Sequence, residues 1–218
     1  ALKINPDDPK AHYRLGYEFL NIGELEKAET YFKGATNLDP NFLLAFKELA
    51  YVTAQLNDTK NAIKYYKQSL KIDRDDEEAH LELIALYEQS GMITKVINQY
   101  EKLIRIDPKN IETRHTVARL YRKTGRERDA IRHYRATVKF NPDDKKAHQA
   151  LAYLHTQSGK LQSAIKHFKE TIRISPKDSE AQRGLALIYD RQGNRPEAIR
   201  IYKKILKLHP EDLKTRVR

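Results

Sequence analysis

Residues 111–144 read IETRHTVARLYRKTGRERDAIRHYRATVKFNPDD, and residues 145–178, KKAHQALAYLHTQSGKLQSAIKHFKETIRISPKD, match them place for place. Both carry alanine at the eighth place (Ala118, Ala152) and glycine at the fifteenth (Gly125, Gly159). Alanine returns at the twentieth (Ala130, Ala164), an aromatic follows at the twenty-fourth (Tyr134, Phe168), and proline closes each stretch (Pro142, Pro176). Working outward, the closing proline recurs at Pro6, Pro40, Pro108 and Pro210, with Arg74 at the one substituted mark, so the period is 34 residues. Self-similarity at such a period marks a repeat architecture. Six complete repeats follow: 9–42, 43–76, 77–110, 111–144, 145–178 and 179–212.

The seventh place is apolar throughout (Leu15, Leu49, Leu83, Val117, Leu151, Leu185), and the eighth is mostly small. A small residue at the twentieth place precedes Phe32, Tyr66, Tyr100, Tyr134, Phe168 or Tyr202 by four residues. Helical spacing of apolar residues predicts two amphipathic helices per repeat, as where Leu81, Ile84, Ala85 and Glu88 with Leu83, Leu86 and Tyr87 make a broad buried face. Gly23, Gly91, Gly125, Gly159 and Gly193, with Asn57 in repeat two, supply the left-handed residue that ends the first helix. Small places allow close helix approach, and the aromatic fills the space between neighbouring repeats. The closing proline stops the second helix, whereas Pro196 falls in a first turn, where its missing N–H costs nothing. Repeat three departs from this with Ile84, Val96 and Leu103, and its helices are expected further apart.

The pattern resembles the tetratricopeptide repeat family over 204 of the 218 residues. The resemblance implies an all-α fold: a right-handed α-solenoid of antiparallel helix pairs, a single domain over 1–218, whose concave groove binds partners. Residues 1–8 read as the tail of a preceding repeat, with Ala1 and Leu2 in its apolar places, and 213–218 as the start of a truncated helix. Leu206 and Leu208 then need a cap, so the chain is expected to continue beyond both ends or to pair with a neighbouring molecule.

There is no cysteine, which excludes disulfides and thiolate metal sites. No apolar run approaches the roughly 20 residues of a membrane span. The residues name no compartment; a soluble, cytoplasmic protein is the favoured expectation. The net charge of +11 is uneven, −3 over residues 1–110 and +14 over 111–218. This fits an acidic partner surface for the C-terminal half, or a well-solvated basic face.

Among eight histidines, His12, His80 and His148 hold the same fourth place in alternate repeats. Sites two repeats apart are separated by about four helix spacings of roughly 8–10 Å, against the ~2 Å of a metal–nitrogen bond. They read as packing residues, as does His155, and no metal is expected. Asp75, Asp76, Glu77 and Glu78 stand where acids favour a helix start. No nucleophile elbow or His-Glu-x-x-His occurs, and the histidines lack a partner at fixed offset. The chain is read as non-enzymatic, without catalytic residues or cofactor.

By analogy with the family, the second, fifth, sixth, ninth, twelfth and thirteenth places of each first helix line the groove. In repeats one and two they hold Tyr13, Arg14, Tyr17, Leu20, Lys47, Glu48 and Tyr51, rigid aromatics beside cations that suit a peptide or partner helix. Packing of Tyr17 against Tyr51 is the alternative reading. Glu78, Glu82 and Glu88 make repeat three acidic, and His115, Arg119, Arg122 and Lys123 make repeat four basic, so the lining changes sign. Tyr153, Arg183 and Arg191 continue it thinly. Family members that clamp acidic chaperone C-termini need a Lys and Asn pattern absent here, where Lys47 is followed by Tyr51, Glu82, Glu112 and Thr116. An asparagine ladder at the sixth place is absent too.

On the second helix of repeat four, Arg128, Arg132, Arg135 and Lys139 form one stripe, extended in repeat six by Arg200, Lys203, Lys204 and Lys207. The leading expectation is a protein-interaction scaffold with a peptide or helix in its groove. The alternative is an electrostatic adaptor that places the stripe on nucleic acid or anionic lipid. Sequence-specific nucleic-acid recognition is not expected, because the stripe lacks interleaved stacking aromatics. Self-assembly through uncapped terminal repeats is a third reading.

Overall fold

The computed structural model describes residues 6–208 and 210; the expected flanking helices at Ala1, Leu2 and 213–218 lie outside the described residues. Regular structure among the described residues is entirely helical. Contacts divide the chain into two compact bodies, residues 1–108 and 109–218. The N-terminal body holds α1 (Pro9–Asn21), α2 (Leu25–Leu38), α3 (Leu43–Gln55), α4 (Thr59–Ile72), α5 (Glu77–Gln89) and α6 (Ile93–Ile106). The C-terminal body holds α7 (Ile111–Lys123), α8 (Glu127–Phe140), α9 (Lys145–Gln157), α10 (Leu161–Ile174), α11 (Ser179–Arg191) and α12 (Arg195–Leu208). Each body is therefore a stack of three antiparallel pairs, one pair per 34-residue repeat.

Local chemistry sets the boundaries. Asp8, Asp58, Asp76, Asn110, Asp144 and Asp178 each accept a backbone N–H at the start of the helix that follows, satisfying a donor the helix itself leaves unpaired. The turn inside repeat two is closed by Asn57 at φ 62°, the same left-handed conformation that Gly23 takes at φ 79° in repeat one. Asparagine enters this region at modest cost, which is why it substitutes for glycine there.

The aromatic of the twenty-fourth place joins neighbouring repeats. Phe32 packs with Leu49 and Val52 of repeat two, and Phe168 with Leu185, Ala186 and Ile188 of repeat six. At the eighth place the helices come so close that a Cβ on Gly16 would lie 2.7 Å from the Phe32 ring. In α5 the buried set is Ala79, His80, Leu83, Ile84, Leu86 and Tyr87. Leu81, Ala85 and Glu88, expected within that face, are exposed instead: the wide apolar arc of α5 rotates toward α6, where Ile84 and Val96 are both buried. Among the within-repeat pairs, the backbones of α5 and α6 approach each other least, in keeping with these bulky side chains between them.

Candidate protein-interaction surfaces

In the N-terminal body, Tyr13 is half-buried against the Phe32 and Phe42 rings, at 5.7 and 5.1 Å between centroids. Burial pushes its phenol up from the ordinary tyrosine range, helped by the nearby Glu48 carboxylate. Tyr17 stacks on Tyr13 at 6.4 Å. Tyr17 and Tyr51 remain 44% and 43% exposed and make no ring contact with each other. Arg14 and Glu82 are exposed as well, and Arg14 has no ion pair among the described residues. Glu48 is half-buried, and burial together with the Glu78 charge raises its carboxyl above the usual range.

Lys47 is occupied. Its ammonium lies 2.9 Å from Asp76 Oδ2 and 2.5 Å from Glu78 Oε2, while Asp76 Oδ1 accepts from Ala79 N at the start of α5. The same bridge recurs in the C-terminal body. His115 Nε2 meets Asp144 Oδ2 at 2.9 Å and Gln149 Nε2 donates to Asp178 Oδ2 at 3.0 Å, while the Oδ1 atoms of both aspartates cap α9 and α11. One carboxylate thus caps a helix with one oxygen and holds the preceding first helix with the other. Expected here as groove cations, Lys47 and His115 serve first to tie successive repeats together.

In the C-terminal body α7 and α9 border a cleft of about 1260 Å³. His115, Thr116, Arg119 and Arg122 line it from α7, Lys146, Ala150 and Tyr153 from α9, and Glu180 from α11. Arg119, Arg122 and Lys146 are exposed and form no ion pair among the described residues. Tyr153 presents its ring edge-on to Phe168, 5.3 Å between centroids, and donates its hydroxyl to Glu180; burial and that bond push its phenol well up. The cleft therefore combines free cations, Arg119 and Arg122 on α7 and Lys146 on α9, with a fixed aromatic and a small alanine on α9.

One recurring contact was missed in the sequence. The fourth-place side chain reaches back to the carbonyl closing the previous repeat: His12 to Pro6, His80 to Arg74 and His148 to Pro142, at 2.9–3.1 Å. Gln182 donates to the Pro176 carbonyl in the same way. The signal was available, since a hydrogen-bonding residue at the fourth place follows the turn residue by six each time. Beside this contact in repeat five, His148 Nδ1 lies 3.0 Å from His167 Nδ1, and the His155 and His167 rings stack at 5.7 Å. Burial, then the two neighbouring histidines, lowers His167 to about 4. No group of three metal-binding side chains occurs among the described residues. Arg128, Arg132, Arg135 and Lys139 all stand exposed on α8. No described helix is long and apolar enough to cross a membrane.

Capped helix pairs with a left-handed turn residue and an aromatic between pairs define a helical-repeat protein. The chain belongs to the tetratricopeptide repeat family: three family models, each described as tetratricopeptide repeat, match residues 9–42 and 48–76, residues 117–179 and residues 155–216. No curated protein sequence matches the chain. Among solved structures it is similar to YrrB, a TPR protein with an unusual peptide-binding site, at 18% identity over 85% of this chain and 96% of that one, TM-score 0.59. It is similar also to the MamA protein, at 23% identity over 79% and 94%, TM-score 0.57. A chain of the Naa15/Naa10 structure bound to HypK-THB aligns at 17% identity over 98% of this chain and 33% of that one, TM-score 0.74. Similarity at these identities is similarity of fold.

Proposed function

We propose that the protein is an interaction scaffold that holds an acidic, extended segment of a partner protein in the α7–α9 cleft of its C-terminal body. The observation that carries this reading is the pairing of unpartnered Arg119, Arg122 and Lys146 with Tyr153 and Ala150 in one cleft. Cations orient carboxylates of the segment, and the rigid aromatic supplies contact area at low entropic cost. Because Asp144 holds α7 through His115 and Asp178 holds α9 through Gln149, little ordering cost falls on the scaffold. The same fold in YrrB, a protein with a peptide-binding site, is consistent with this use. In the N-terminal body the exposed Tyr17 and Tyr51, beside Arg14, form a second contact surface.

Titration of fluorescein-labelled acidic peptides containing an aromatic residue tests the cleft. Binding to the wild-type chain and a loss of at least tenfold in Arg119→Glu/Arg122→Glu, with unchanged helix content, are expected. Equal affinity of the two proteins would refute the assignment.

A further inference from the structure

The second helices of the C-terminal body carry a lattice of cations that the repeat itself does not require. At the twenty-second place stand Arg132, Lys166 and Arg200, and at the twenty-fifth Arg135, Lys169 and Lys203. At the twenty-ninth place stand Lys139, Arg173 and Lys207. These places, separated by three and four residues, fall on one helix face, and all nine side chains are exposed. In the N-terminal body the same places hold Thr30, Lys33 and Asn37, then Lys64, Lys67 and Lys71, then Asn98, Glu101 and Arg105. A solvated outer face is thus compatible with neutral or acidic residues; α4 carries the cation triad on a single helix, whereas in the C-terminal body it continues over all three second helices, α8, α10 and α12.

Few carboxylates answer these charges. Arg173 pairs with Asp143 and Glu170, Arg200 with Glu197, and Arg132 with Asp129. Arg135, Lys139, Lys166, Lys169, Lys203 and Lys207 form no ion pair among the described residues. α8, α10 and α12 pack on the first helices α7, α9 and α11, which leaves this face uncovered within the body.

Apolar surface lies inside the lattice. Between α10 and α12, over α11, a furrow of about 360 Å³ is lined by Ile172, Tyr189 and the buried Leu185 and Ile201, together with Gln182, Lys169, Lys204 and the paired Arg200 and Glu197. Ile199 and Leu208 are exposed next to lattice cations on α12. Sequence-independent readers of single-stranded nucleic acid alternate cations with free aromatics, but the exposed ring here, Phe140, is covered by the Arg114 guanidinium at 5.3 Å. Cations over three helices with apolar side chains among them match a two-dimensional anionic surface with an apolar interior, in which phosphates and acyl chains are presented together.

We propose that the second-helix face of the C-terminal body is a docking surface for an anionic phospholipid bilayer, with headgroup phosphates over the cation lattice and the α10–α12 furrow receiving apolar lipid. This surface is separate from the α7–α9 cleft, so either assignment can fail alone.

The test is co-sedimentation of the full chain with phosphatidylcholine vesicles, with and without phosphatidylserine, at low and physiological ionic strength. Binding that requires phosphatidylserine and weakens with salt is expected. Each cation near such a surface contributes about fivefold in partitioning, so Arg135→Gln/Lys166→Gln/Lys169→Gln/Lys203→Gln should lose more than about 100-fold. These neutral replacements suit a helix exterior, and circular dichroism checks the fold. Arg119→Glu/Arg122→Glu should keep vesicle binding. No binding to phosphatidylserine vesicles, or equal binding by the fourfold variant, would overturn the proposal. So would tighter binding of a single-stranded oligonucleotide than of vesicles through the same four residues.

Discussion

His115 Nε2 lies 2.9 Å from Asp144 Oδ2, and the other oxygen of that carboxylate caps α9 by accepting from Ala147 N at 2.8 Å. A single side chain therefore starts one helix and anchors another. Asp144→Ala removes both contacts and is expected to cost about 1–2 kcal/mol, the scale of a lost N-cap. Asp144→Asn retains a capping oxygen and should cost less. Urea unfolding midpoints at constant slope measure both.

The equivalent Asp76 supplies a pH dependence. Burial pushes its carboxyl up, but the Lys47 ammonium and the Ala79 N–H outweigh burial and hold it below the ordinary aspartate range. A depressed carboxylate contributes stability that is present above its unfolded value near 3.9 and is lost as pH falls through the folded value. Lys47→Met should therefore lower stability at neutral pH and leave it nearly unchanged in strong acid, where Asp76 is protonated in both proteins. A constant difference from neutral to acid pH would contradict this.

His167 titrates in the other window. It faces His148 and His155 from α9, Arg135 from α8 and Lys166 on its own helix, with Glu170 near His148. Its folded value of about 4 lies below the ordinary 6.5, so the unfolded chain binds the proton more readily. Stability should fall as pH drops from 6.5 toward 4. His167→Gln should flatten that decline in pH-dependent thermal melts, and an unaltered slope would argue against the histidine.

Gly16→Ala places a methyl 2.7 Å from the ring of Phe32, which is fully buried. Alanine gains about 1 kcal/mol of helix propensity over glycine, yet overpacking costs about 1–3 kcal/mol. Net destabilisation is expected by chemical denaturation, despite Ala50 being accommodated at the same place in repeat two.

Tyr17→Ala with Tyr51→Ala removes exposed rings and should leave helix content intact. Partner capture by the N-terminal surface should weaken at least tenfold by titration. Unchanged capture would confine partner binding to the α7–α9 cleft.

The period alone marked where each helix pair turns and where it closes, because its marks act locally. A left-handed residue at the fifteenth place ends a helix whatever surrounds it, and Asn57 follows the same rule as the glycines. The aromatic between repeats was legible for a related reason: one spacing recurs six times, and only packing between repeats explains it. The face of α5 was less legible, since apolar residues surround most of that helix and only its neighbours choose among them.

The candidate sites divide in the same way. Exposed Tyr17, Tyr51, Arg119 and Arg122 follow from their places in the repeat. That Lys47 and His115 are bonded within the protein does not, because their partners stand 29 residues further on and each capping carboxylate keeps a second oxygen for them. Residue order decided the 34-residue helix pair and the basic charge of the second half, both matters of local propensity and count. Tertiary structure decided which polar groups are spent internally and which face a cleft, because a charge is free only when folding brings it no partner.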